Sequence, residues 1–452
     1  MTDAPKRSML RRLAADYGMA GVLLLLCIYY SIATWNEQFP AGAEAAERVA
    51  EAVSAETAFV VAETGAEARE FADRAAELLR ARGVEVLGVF AGEPPGLRDA
   101  VAAATAGGRR IGAFAATYQA GRWRVLRSIV QDTPSAAAAA VVSAGSYWWP
   151  DFLKRSNLMT VADRIVVIAI IAIGMTMVII TAGIDLSVGS LIALSAVLST
   201  LLIRDVGGAE SATPAAMVLC CLAATVACGL VGVFSGLMVT AFAIPPFIVT
   251  LAMMLVAKGI AFILAAGQSI HRVPPSIDWL GRGAHLFGIP NTVVLMALLY
   301  AAAHVVMTRT VLGRYVYAVG GNREAARLSG VPVRRVLLLV YAVCGALAGL
   351  GGVVRASQLR TGAPTYGLTY ELYVIAAVVV GGTSLAGGQG RVLGTLIGAF
   401  IIAVIENGMN LTGVQSYTQM VVLGLVILAA VLLDMLKKGR WHRVLARLRR
   451  GG

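Results

Sequence analysis

The sequence predicts an all-α polytopic membrane protein of about ten transmembrane helices, interrupted once by an inserted extracytoplasmic α/β domain. Hydrophobic residues make up 58% of the 452 residues and charged residues only 14%, against about 25% charged in an average soluble domain. Mean hydropathy is +0.76. Apolar runs of spanning length recur along the chain, except over 36–150, which holds 11 basic and 14 acidic residues and alternates between strand-like and helix-like patterns. The same composition excludes a disordered chain, a collagen repeat and a disulfide scaffold.

The first apolar run, Gly18–Trp35, is long enough to span a bilayer, and it follows Lys6, Arg7, Arg11 and Arg12. A signal peptide is the alternative; Trp35-Asn-Glu-Gln, in place of a small-residue cleavage site, favours an uncleaved span. Within 36–150, Thr57–Ala62 predicts a buried strand, Ala66–Arg82 an amphipathic helix, Val84–Phe90 a second strand, Leu97–Ala106 a second helix and Arg110–Ala115 a third strand. That alternation predicts βαβ units on a parallel sheet. The cluster Tyr147-Trp148-Trp149 returns the chain to the membrane interface. Residues 151–436 read as the main membrane part, with spans near 163–182, 187–203, 213–238, 245–267, 290–309, 335–355, 371–388, 391–412 and 415–436.

Charge placement orients these spans. The net charge is +12, and basic residues concentrate before the first span and in the tail 437–452: Lys437, Lys438, Arg440, Arg443, Arg447, Arg449 and Arg450. Basic flanks mark the cytoplasmic side, and an even number of crossings puts both there, with 36–150 outside. Lys154, Arg155, Arg164, Arg282 and Arg360 fall on or near the outer side against that bias. No nucleic-acid recognition module accompanies the charge, so nucleic acid is not expected as a partner. Cys27, Cys220, Cys221, Cys228 and Cys344 lie in apolar runs without metal spacing. His271, His285, His304 and His442 are scattered, so no metal site is expected. The chain has no phosphate-cradling G-x-x-x-x-G-K-[ST], no G-x-S-x-G and no H-E-x-x-H, so no catalytic residue is expected.

Three segments depart from plain spanning helices. Thr181-Ala-Gly-Ile-Asp-Leu-Ser-Val-Gly-Ser190 interrupts a long apolar run and predicts a broken helix, a conformation tolerated at membrane depth only against protein or a watery cavity. Asp185 there either caps a helix beginning at Leu186 or serves transport, and the two are compatible. Gly381-Gly-Thr-Ser-Leu-Ala-Gly-Gly-Gln-Gly390 is either a second broken segment, paired with the first across a weak internal repeat, or a tight cytoplasmic turn. In the loop 313–331, Asn322 can cap a short helix with Glu324 in its first turn, Arg327 near its end and Gly330 at its stop. This helix reads either as a docking knob or as a solvated loop helix. The pairs Gly232/Gly236, Gly345/Gly349 and Gly394/Gly398 read as close helix-packing positions.

These segments carry a resemblance. GMTMVIITAGIDLSVGS, GGNREAARLSG, YELYVIAAVVVGGTSLAGGQGRVLGTLIGA and FLKRSNLMTVADRI, in that family's order, are similar to the membrane permease of ribose/xylose-type ABC sugar importers. The resemblance covers 151–438 strongly and 1–35 weakly. It implies a homodimeric permease in the bacterial inner membrane, working with two cytoplasmic ABC ATPases and an extracytoplasmic solute-binding protein. ATP and magnesium would then sit on the partner ATPase, with no cofactor in this chain. On that pattern Gly321, Asn322, Arg323, Glu324, Ala325, Ala326, Arg327, Ser329 and Gly330 would form the ATPase-coupling loop, and the GIDLS and GGTSLAGG segments would flank the translocation path.

A neutral sugar or polyol needs hydrogen-bonding groups without net charge, which makes Asp185, Ser187, Thr383, Ser384, Asn407 and Asn410 the candidate path residues. Asn407 and Asn410, three apart, share a helix face and could instead be interhelical glue. The 36–150 insertion departs from the family pattern. Its βαβ pattern is similar to part of one lobe of a periplasmic sugar-binding protein, so preloading of substrate, docking of the binding protein and an accessory scaffold all stay open. Two other functions compete with the importer: an ion-coupled secondary transporter using Asp185 and Glu406, and a membrane receptor sensing a ligand through the outer domain.

Overall fold

The computed structural model describes residues 4–286 and 288–437. The basic tail 438–452, with His442, lies outside them, as do the side chains of 4–17 and 433–437. The chain forms two units, one of residues 35–151 and one of the segments before and after it. After α1 (Ala4–Ala33), the first of these runs β1 (Trp35–Gln38), α2 (Gly42–Ala52), β2 (Thr57–Ala62), α3 (Ala66–Ala81), β3 (Glu85–Ala91), α4 (Leu97–Thr105), β4 (Ala113–Ala116), α5 (Tyr118–Gly121), α6 (Arg124–Asp132), β5 (Ala140–Ser143) and β6 (Tyr147–Pro150).

Its main sheet has the order β3-β2-β4-β5, with every pair parallel. The unbroken apolar run of β2 follows from burial on both faces: Ala58, Val60 and Ala62 pack with Phe71, Ala75 and Leu79 of α3, while Phe59 and Val61 pack with Leu97, Val101, Leu126 and Ile129. The third strand begins at Ala113 rather than Arg110, because the Thr57 hydroxyl donates to the Arg110 carbonyl at 2.8 Å and accepts the Gly112 N–H at 2.9 Å in place of ladder bonds. At the ends of the unit β1 and β6 pair antiparallel, with Trp35 opposite Pro150 and Gln38 opposite Tyr147.

The other unit continues with α7 (Arg155–Ile180), α8 (Val188–Asp205), α9 (Pro214–Ala241), α10 (Pro246–Leu264), α11 (Asp278–Gly281), α12 (Asn291–Arg309), α13 (Val311–Gly321), α14 (Arg323–Leu328), α15 (Val333–Leu359), α16 (Tyr370–Val380), α17 (Val392–Leu411) and α18 (Ser416–Lys437). Among the described residues, seven of these helices (α7, α8, α9, α10, α12, α15 and α17) are long and apolar enough to cross a membrane, and Gly18–Ala33, Tyr370–Val380 and Ser416–Leu432 are shorter apolar helices. Apolar on every side, α7 is buried from Ile165 to Ile180, as a helix without a polar face must be. Two expected spans shift. The one near 163–182 starts at Arg155, with Asp163 and Arg164 inside the helix, and the one near 371–388 stops at Val380, because Gly382 takes a left-handed φ of 89°.

Glycines set the closest helix contacts. A Cβ on Gly232 would collide with the Tyr341 carbonyl, and one on Gly345 with the Cys228 carbonyl, so α9 and α15 touch backbone to backbone. Gly394 and Gly398 of α17 lie against the carbonyls of Gly381 and Ala377 in the same way, which orders α16 and α17 antiparallel.

Candidate functional site

The apolar helix α7 ends where its sequence turns to Thr-Ala-Gly. The Gly183 N–H closes back on the Val178 carbonyl at 3.0 Å, and Ala182 is held at φ 61°, a left-handed conformation costing an alanine about 1 kcal/mol or more. Gly183 leaves room for the Tyr341 hydroxyl, which stands 2.5 Å from where a Cβ would be. Asp185 is fully buried. Its Oδ1 accepts the Ser187 N–H at 2.9 Å and the Ser187 hydroxyl at 2.6 Å, a local turn formed by an aspartate with the backbone two residues on. The expected cap on a helix from Leu186 is therefore corrected: α8 begins at Val188 with Ser187 in the capping position.

The second glycine segment is a compact turn between α16 and α17. The Thr383 N–H donates to the Val378 carbonyl at 3.1 Å, the Ser384 N–H to the Gln389 carbonyl at 3.0 Å, and the Ser384 hydroxyl accepts the Ala386 N–H at 3.2 Å. Thr383 and Ser384 are both buried.

This turn meets the first break. The Gly388 N–H donates to the Ile180 carbonyl at 2.8 Å, and a Cβ on Gly387 would fall 2.9 Å from that of Ala182. The end of α13 closes the junction. Gly320 has no space for a side chain against the Ile180 carbonyl, and the Tyr317 hydroxyl donates to the Gly390 carbonyl at 2.8 Å. Three segments far apart in sequence thus share one backbone contact, made possible by residues without side chains.

From that contact the chain passes directly into α14. Asn322 caps it, its Oδ1 accepting the Ala325 N–H at 2.9 Å. Glu324 and Arg327 pair at 2.5 Å on its surface, and the hydrogen bond from Arg327 holds the Glu324 carboxyl below its ordinary range. Of the predicted coupling residues, Ala326 alone is buried; Gly321, Asn322, Arg323, Glu324, Ala325, Arg327, Ser329 and Gly330 are exposed. Leu328 is 78% exposed, and Gly330 stops the helix at φ 82°. The result is a short, rigidly capped projection that covers almost none of its own surface.

The candidate path residues fall into two groups. Asp185, Ser187, Thr383 and Ser384 lie in the two segments that meet. Asn407 and Asn410 lie toward the opposite end of α17, about 22 and 27 Å from its start at 1.5 Å per residue. Asn407 exchanges a pair of amide hydrogen bonds with Asn157 of α7, at 3.0 and 2.8 Å, and Asn410 accepts from Gln419 of α18 at 2.9 Å. Each side chain thus bonds across to a neighbouring helix. Sequence reasoning missed Lys258 and Glu371, which line a cavity beside Gly189 and Ser190. The signal was present in each case: a single lysine inside the apolar helix Pro246–Leu264, and a glutamate heading the apolar run Tyr370–Val380.

Residues 157–431 match the family model described as branched-chain amino acid transport system / permease component. The ribose import permease protein of Escherichia coli strain K12 is 43% identical over 299 residues, covering 65% of this chain and 89% of the relative. The D-allose transport system permease protein of the same strain is 36% identical over 286 residues, covering 63% and 85%. The fructose import permease protein of Rhizobium meliloti is 34% identical over 302 residues, covering 65% and 81%. No solved structure matches the chain.

Proposed function

Since the chain belongs to the branched-chain amino acid transport system / permease component family, we propose that it is the permease subunit of an ABC importer that carries a sugar or polyol-like solute across the bacterial inner membrane. The relatives are permeases for ribose, allose and fructose, which supports an importer over an ion-coupled carrier or a ligand-sensing receptor. A separate cytoplasmic ABC ATPase, holding ATP and magnesium, supplies the energy, and an extracytoplasmic solute-binding protein delivers the solute. The permease works as a homodimer. On this reading Gly18–Ala33, Tyr370–Val380 and Ser416–Leu432 count as crossings beside the seven long helices, which makes ten, with both termini cytoplasmic and the α/β unit extracytoplasmic. On that threading the two glycine segments and the α13–α14 loop fall at the same, inner end, in keeping with their mutual contact.

One observation carries the mechanism: exposed α14 is continuous with Gly320, which packs on Ile180 beside Gly388. ATP-driven closure of the ATPases displaces α14, and Gly320 hands that displacement to both the 181–187 break and the 381–390 turn. Asp185, Ser187, Thr383 and Ser384 ride on those segments, so the inner end of the path changes shape as the ATPases close. The test is reconstitution in vesicles. ATP-dependent uptake of D-ribose, D-allose or D-fructose is expected only with the ATPase and binding protein present; accumulation driven by a proton gradient alone would overturn the reading.

A further inference from the structure

A cavity of about 270 Å³ lies between the first turns of α8, the later turns of α10 and the connection 364–369 that leads into α16. It is smaller than the ~300–1,000 Å³ pockets that take drug-sized ligands, a size suited to a monosaccharide rather than an oligosaccharide. Two opposite charges line it, Lys258 and Glu371. Both are half-buried.

Both charges lie in otherwise apolar helices and face the cavity. Lys258 sits within a helix of mean hydropathy 2.4, where an ammonium is costly and marks a functional position by default. The Glu371 carboxylate rests on the backbone of Gly189, in the first turn of α8, so closely that a Cβ there would collide with it. The positive end of the helix favours a negative group at that place. Thr369, on the rim, is held at φ 67°, a strained conformation that persists where the fold over-determines it and that clusters at binding sites. Ser190 and Thr365 add hydroxyls to the wall, and Tyr366 and Phe262 add rings.

We propose that this cavity is a solute subsite of the permease, in which Glu371 accepts and Lys258 donates hydrogen bonds to the hydroxyls of one neutral monosaccharide set against the Tyr366 ring. A carboxylate and an ammonium together leave the cavity without net charge, so an ionised solute would leave one of the pair uncompensated, whereas a polyol satisfies both. The cavity adjoins the 181–187 break through Gly189, so the motion passed on by Gly320 reaches it within a few residues. The site thus adds chemical selection to a path whose other candidate groups are Asp185, Ser187, Thr383 and Ser384.

This inference rests on the importer reading, and the experiment separates the two. Vesicles hold the full chain with its ATPase and binding protein, and uptake of D-ribose, D-allose and D-fructose is measured alongside ATP hydrolysis. If the unmodified protein moves none of the three, the importer reading fails. With the unmodified protein active, Glu371→Gln and Lys258→Met are each expected to lower sugar moved per ATP hydrolysed about tenfold, the size of a lost charge-assisted hydrogen bond. They are also expected to change the ranking of the three sugars, which a merely structural ion pair would leave alone. Thr365 is exposed at the lip, so Thr365→Phe fills the cavity without disturbing the core and decides the matter should the charge variants fail to fold. Unchanged uptake and sugar ranking in Thr365→Phe, or in folded Glu371→Gln, would overturn the proposal.

Discussion

The backbone amide of Gly388 donates to the carbonyl of Ile180 at 2.8 Å. That bond joins the turn between α16 and α17 to the last residue of α7, and Gly320 fills the remaining gap.

Gly320→Ala is therefore expected to force these segments apart. Overpacking of this kind costs about 1–3 kcal/mol, enough to disturb the junction without unfolding the membrane unit. Sugar uptake should fall at least about tenfold while ATP hydrolysis by the assembled complex persists, measured as sugar moved per ATP hydrolysed. Tyr317→Phe removes only the hydroxyl bonded to Gly390 and should produce a milder loss in the same ratio.

Replacing Glu324 and Arg327 together by alanine removes an ion pair that lies wholly in solvent. Such pairs contribute little to stability, so protein abundance in the membrane should be unchanged. If α14 is the docking projection, hydrolysis and uptake should come uncoupled; normal transport by this variant would remove its assigned role.

Asn157 and Asn407 exchange two hydrogen bonds between α7 and α17. Asn407→Ala should lower stability by about 1 kcal/mol, read as a lower melting temperature in detergent. Adding Asn157→Leu removes the unpaired amide but also the bond from Asn157 to the Phe152 carbonyl at 2.9 Å, so at most part of the loss should return.

The α/β unit begins and ends on one antiparallel ribbon, Trp35 opposite Pro150. Excising 36–150 with a short linker should leave the membrane unit able to insert and fold, as judged by membrane yield and size-exclusion profile. Failure of the excised protein to accumulate in the membrane would show that the unit is required for assembly.

What was legible in the sequence follows the range of the interactions. Thr57–Ala62 and Ala66–Ala81 were readable because burial on two faces and on one face leave different periodicities. Gly42–Ala52 was not anticipated, because its buried face is built of Gly42, Ala45, Ala46, Val49 and Ala50 and small residues give a faint apolar stripe. Ala140–Ser143 is four residues long, too short for a pattern. The cap at Asn322 was readable because it is local, whereas the meeting of Ile180, Gly320 and Gly388 has no local signature beyond the glycines themselves. Lys258 is diluted by the apolar residues around it, and Asn407 points equally to a pore or to helix packing because its bond partner Asn157 lies 250 residues away.

At Gly232 and Gly345, where α9 and α15 meet backbone to backbone, there is no side chain to change rotamer or slide. Helix backbones this close are expected to move as one body, so a displacement of α14, which ends just before α15 begins, should carry α9 along with α15. Any yielding is then expected at the two breaks in helical structure, 181–187 and 381–390, rather than along those helices.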